Sequence, residues 1–202
     1  MHKPSDIQRS LVNVDDSILV VIDIQDSFLN KCDQTKTQTL VNNVAWLIEV
    51  AKELNIPIVA MAEDMKHTGD INKTIRDTLP NSTTVHNKDF FDLTSNSDIM
   101  ADIRAADRNT AICVGMETDV CVAQSSISLL QLGYNVVVLL DGVASTEVDE
   151  NIGIGRMRDA GVAISSIKAL YYEWLRSVSK CISLGKKNPD LTTIKRPSNL
   201  VL

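Results

Sequence analysis

Residues 110–141 read TAICVGMETDVCVAQSSISLLQLGYNVVVLLD, and this stretch decides the fold class. An apolar run, TAICVG (110–115), leads into a helix-compatible segment, DVCVAQSSISLLQLG (119–133), which Gly133 is placed to stop. A second apolar run, NVVVLLD (135–141), follows at once. Runs rich in Val and Ile, apolar at consecutive positions, read as strands buried on both faces. Two such strands joined by a helix make a parallel crossover unit, because a parallel pair needs a long return connection.

Outward from this unit the same alternation recurs. Further strands are expected at SILVVID (17–23), IPIVAMA (56–62), a weaker TTVHN (83–87) and VAISS (162–166). Helices are expected at 37–54, 146–161 and 167–178, with Trp46 and Trp174 as core residues of the first and last. The pattern predicts one α/β domain over 1–202, a three-layer doubly wound sheet of about six mainly parallel strands with helices on both faces. Residues 185–202, GKKNPDLTTIKRPSNLVL, read as a polar, solvated tail.

The chain has 202 residues, 26 acidic against 20 basic side chains and a net charge of −6, which disfavours nucleic acid or an anionic membrane as partner. A small molecule fits better. The start, MHKPSDIQRSLVNVDD, lacks the plan of a signal peptide, and no apolar run is long enough to span a bilayer, so a cytoplasmic protein is expected. The four cysteines, Cys32, Cys113, Cys121 and Cys181, show neither disulfide nor zinc spacing. Cys113 lies inside a strand and reads as a small hydrophobe; Cys32 and Cys181 have no evident activating partner.

In doubly wound sheets ligands bind beyond the carboxyl ends of the strands. There the sequence places Asp23, Gln25 and Asp26 after the first strand, His86, Asn87 and Lys88 around the third, and Cys121 after the fourth. No glycine-rich phosphate loop follows any strand, so no dinucleotide or nucleoside triphosphate has a cradle. If Thr118 or Asp119 caps the next helix, Cys121 falls in its first turn, where the helix dipole is expected to lower the thiol pKa. Its backbone N–H groups could also bind an oxyanion. His86 has no clear orienting acid, but a buried carboxylate can move protons and a lysine can stabilise a thiolate, roles open to Asp23 and Lys88. Each of these has a plainer reading, as a polar strand end or a surface lysine.

VVIDIQDSF (20–28), VHNKDFF (85–91) and GMETDVCV (115–122) resemble the opening D-x-Q-x-x-F element, the lysine segment and the G-x-x-T-x-x-C-V nucleophile loop of the isochorismatase-like hydrolases. This cysteine hydrolase superfamily includes nicotinamidases and N-carbamoyl amidohydrolases, and the resemblance spans nearly the whole chain. It implies a Rossmann-like sheet, Asp23 as general acid/base, Lys88 as the neighbouring cation and Cys121 as nucleophile. It further implies a cis peptide at Met116–Glu117 and an oxyanion hole from the N–H groups of Glu117 and Cys121. The implied reaction is hydrolysis of a C–N bond in a small amide, carbamoyl or ureide compound through a thioester, with no cofactor.

Relatives that are nicotinamidases hold a metal through an Asp-x-His pattern and a further histidine; here the region reads AEDMKHTGD (62–70), with Asp64 and His67 out of step, so no metal is expected. Phe28, Phe90, Phe91 and Met116 are expected to wall the substrate pocket, although core packing explains them equally well. A homo-oligomer is expected. Three alternatives stay open: isochorismate-type vinyl-ether hydrolysis, a catalytically silent metabolite-binding α/β protein, and a thiol redox sensor, the last without an evident resolving cysteine.

Overall fold

The computed structural model describes residues 11–145 and 151–202. The first ten residues, read above for a leader, and residues 146–150, the expected start of a helix, lie outside the described residues. The chain runs β1 (Ser17–Ile22), α1 (Asp26–Leu29), α2 (Gln34–Glu53), β2 (Ile58–Glu63), α3 (Met65–Thr68), α4 (Lys73–Thr78), β3 (Val85–Lys88), α5 (Ser97–Ala105) and β4 (Thr110–Met116). A π-helical turn (Thr118–Val122) opens α6 (Ala123–Gln131), followed by β5 (Asn135–Ala144), α7 (Asn151–Ala160), β6 (Ala163–Ser165), α8 (Ile167–Leu175), α9 (Val178–Lys187) and α10 (Pro189–Thr192).

The strands form one six-stranded sheet in the order β3-β2-β1-β4-β5-β6, and every neighbouring pair is parallel. The three-layer α/β expectation is met. Alternation along β1 divides the interior: Leu19 and Val21 face the layer built by α2 and α8, whereas Ile18, Val20 and Ile22 face that of α5, α6 and α7. Helix α2 buries Leu40, Val44, Leu47 and Ala51, three or four residues apart, so that one stripe faces the sheet. Its true start is Asp33, whose side chain accepts from the Lys36 N–H.

Strand order reverses between β1 and β4, so the crevice of a doubly wound sheet opens at their carboxyl ends. There Gly115 has φ +133°, and a Cβ on it would lie 1.8 Å from the Ile22 carbonyl oxygen. Only glycine lets these two strand ends meet.

The polar-tail expectation is corrected. Leu184, Leu191 and Leu200 are buried in the α2/α8 layer, and the Trp46 indole N–H donates to the Leu191 carbonyl at 2.7 Å. Sparse leucines among polar residues suffice to pin α9 and α10 because each falls on the inner face. Among the described residues, no helix is long and apolar enough to cross a membrane.

Candidate active site

Strand register assembles the site. His86 pairs with Met61, Met61 with Ile22 and Ile22 with Gly115, so four strand ends align in one row. Two residues beyond that row, Glu63 of β2 pairs with Lys88 of β3. Period-two alternation puts both on the side of Met61, the layer that also contains Cys121. Asp23 ends β1 in the left-handed region at φ 49°, an uncommon conformation for a non-glycine residue, and its N–H donates to the Met61 carbonyl at 3.1 Å.

The Lys88 ammonium is the hub. Its Nζ lies 2.6 Å from Asp23 Oδ2 and 3.5 Å from Glu63 Oε2, and donates to Cys121 Sγ at 3.6 Å and to the Phe90 carbonyl at 3.0 Å. The Cys121 thiol donates to Glu63 Oε2 at 3.1 Å. Asp23, Lys88 and Cys121, predicted from three separate segments, thus meet in one cluster.

Burial drives the Asp23 pKa up to about 6, against the pull of Lys88. Burial also works against the Lys88 charge, but Asp23, Cys121 and Glu63 outweigh it and its pKa rises. For Cys121, burial and then the Asp23 charge push the thiol well up, with only Lys88 opposing. The expectation of a thiol lowered by the helix dipole is therefore corrected. No side chain caps this helix; it is entered through the π-helical turn, with the Val120 and Val122 N–H groups donating to the Glu117 carbonyl. The resting group is a hydrogen-bonded thiol.

Glu63 escaped the sequence reading, which ended the second strand one residue early. The available signal was an acidic residue directly after an apolar run, at the edge where ligands bind. Gln25 holds it in place: its side-chain oxygen accepts from the Glu63 N–H at 2.7 Å, and its amide nitrogen donates to the Glu63, Thr68 and Gly69 oxygens. Asp26 accepts instead from Asn72, and Asn87 accepts from the Met65 N–H.

His86 does have an acid partner, contrary to expectation: its Nε2 lies 2.8 Å from Asp102 Oδ2 of α5. The Met116–Glu117 peptide is cis. Of the four expected pocket residues, Phe28 and Met116 are buried in the α2/α8 core, whereas Phe90 and Phe91 are 56% and 53% exposed. Asp64 and His67 bond to each other at 2.8 Å in the exposed turn α3. Asp23, Glu63 and Cys121 offer ligand atoms within 4.8 Å of one another, as a metal would require. The Lys88 ammonium, touching all three, already fills that centre, and a second cation beside it would meet direct repulsion.

The model of the isochorismatase domain matches residues 17–169. A Dictyostelium discoideum relative, isochorismatase family protein 1B, is 28% identical over 171 residues, covering 81% of this chain and 80% of its own. Among solved structures, one described as a MAR1 ribonuclease from Caenorhabditis elegans superposes with a TM-score of 0.82 at 24% identity, covering 96% of this chain and 98% of its own. N-carbamoylsarcosine amidase from Thermoplasma acidophilum superposes with a TM-score of 0.64 at 18% identity, covering 75% of this chain and 96% of its own. At such identities these two likenesses carry the fold alone.

Proposed function

Because the chain belongs to the isochorismatase family of hydrolases, we propose that it is a cofactor-independent cysteine hydrolase cleaving a C–N bond of a small amide, carbamoyl or ureide compound. The observation that carries this reading is the Lys88 ammonium in contact with both the Asp23 carboxyl and the Cys121 sulfur. A carboxyl group with a pKa of about 6 can both take and return a proton near neutrality.

Cys121 sulfur attacks the substrate carbonyl carbon as its proton passes to Asp23, and the carbonyl electron pair moves to oxygen. The backbone N–H groups of Glu117 and Cys121 are the proposed donors to that oxyanion. When the tetrahedral adduct collapses, the C–N bond breaks and Asp23 returns the proton to the departing nitrogen, leaving a thioester. Water, losing a proton to Asp23, then attacks the thioester carbon; sulfur leaves and is reprotonated. Lys88 stays charged throughout and offsets the negative charge that moves between sulfur and carboxyl.

The test is ammonia release from a panel of small amides, carbamoyl compounds and nicotinamide by the wild type and Cys121→Ala. The expected result is at least one substrate turned over by the wild type alone. A folded Cys121→Ala variant that retains the wild-type rate would overturn the reading.

A further inference from the structure

The reaction just described makes no use of Glu63, although its carboxylate accepts the hydrogen bond of the Cys121 thiol. It is also the member of the cluster nearest to solvent. Its side chain is 17% exposed against 0% for Asp23 and Lys88, while Cys121 is 3% exposed. Of these four side chains Glu63 is therefore the one most open to a molecule arriving from solvent, and it lies in contact with the sulfur. The charges do not cancel: one ammonium serves two carboxylates, and the thiol is neutral. Among the described residues, Lys88 is the ion-pair partner of Glu63, and its shorter contact goes to Asp23.

We propose that Glu63 selects substrates by charge. Its carboxylate rejects compounds with an anionic group beside the scissile carbonyl and accepts neutral or cationic amides, whose N–H takes over the hydrogen bond that the resting thiol gives. This rests on Cys121 being the nucleophile. Gln25, bonded to the Glu63 backbone on both its N–H and its carbonyl, keeps the carboxylate at this position and acts as a positioning residue. Dianions such as isochorismate become poor substrates for this chain.

Iodoacetamide and iodoacetate test the charge rule without any need for turnover, because they differ chiefly in whether the group beside the reacting carbon is neutral or anionic. Alkylation of Cys121 is followed by peptide mass spectrometry near neutral pH, and the iodoacetamide/iodoacetate rate ratio is referred to that of 2-mercaptoethanol. In the wild type the ratio should exceed the reference by about tenfold, as a nearby like charge in a partly screened setting requires. Glu63→Gln should bring it to within about threefold of the reference, and Glu63→Asp, which keeps the charge, should hold it high. Removing the charge also changes the nucleophilicity of the sulfur, but it does so for both reagents, and the ratio cancels that effect.

A wild-type ratio within about threefold of 2-mercaptoethanol overturns the proposal, and that comparison stands without any variant. A Glu63→Gln protein that keeps the wild-type ratio also overturns it. If the ratio behaves as expected while no amide is hydrolysed, only the C–N assignment falls.

Discussion

Cys113 and Cys121 make a controlled pair. Both lie in the same apolar layer, 0% and 3% exposed, eight positions apart in sequence. Cys113 sits in mid-sheet between Val20 and Val138, and burial alone takes its thiol to about 12, with the Ser126 hydroxyl as its only polar relief. Cys121 lies past the strand end and is pushed up by the same desolvation, yet an ammonium and two carboxylates reach it. Desolvation therefore does not distinguish the proposed nucleophile from a core thiol. What distinguishes them is a place for the proton to go and a cation to hold the charge left behind.

The sharpest way to break this contrast is to remove each sulfur in turn. Cys121→Ala should lower turnover at least about a thousandfold without unfolding the protein, whereas Cys113→Ala should keep activity within about twofold. A steady-state assay and circular dichroism decide between them. Lys88→Met tests the cation: kcat/KM should fall at least about a hundredfold, and urea denaturation should show a loss of about 3–5 kcal/mol, since Asp23 is left buried and unpaired. The double variant Asp23→Asn/Lys88→Met should recover part of that stability and none of the activity.

Titration gives a third contrast. A carboxyl group raised to about 6 should give kcat/KM an acid limb near that pH, with activity rising as Asp23 ionises and becomes able to accept the thiol proton. The sign for stability is opposite. With its folded pKa above the unfolded value of 3.8, Asp23 contributes stability that is fully present below 3.8 and is lost as pH rises through about 6. Urea denaturation of the wild type and Asp23→Asn from pH 4 to 7 should show the wild type losing ground. The smallest effect expected is the stability cost of Cys113→Ala, about 1 kcal/mol in thermal unfolding, from a small void in mid-sheet.

Much of this was legible before any coordinates. Six runs alternating with helices lead to a parallel sheet because the central ones are too apolar to have a wet face, while β3 and β6 at the sheet edges are only partly buried, and the edge where the strands end then collects Asp23, Lys88 and Cys121. The edge position of Glu63 was one residue from legible; its bond to sulfur depends on register, which periodicity does not supply. The expected pocket wall meets the same limit: Phe28 and Met116 are buried in the α2/α8 layer, and Phe90 and Phe91 are exposed beside Lys88. Composition says that a ring is apolar, and only the backbone path says which way it points. The thiol was misjudged because the dipole argument left out burial and the Asp23 charge, which push it up; the helix start it presupposed is a π-helical turn with no side-chain cap.

The bond from the Trp46 indole to the Leu191 carbonyl ties a helix of the first quarter of the chain to its last segment. A protein emerging from the ribosome would have formed α2 long before its closing residue existed. Until residue 191 is made, that indole N–H must stay wet or find a temporary acceptor. Shortened versions ending before α10 should accordingly be held by chaperones and cleared by proteases, even with Asp23, Lys88 and Cys121 all intact.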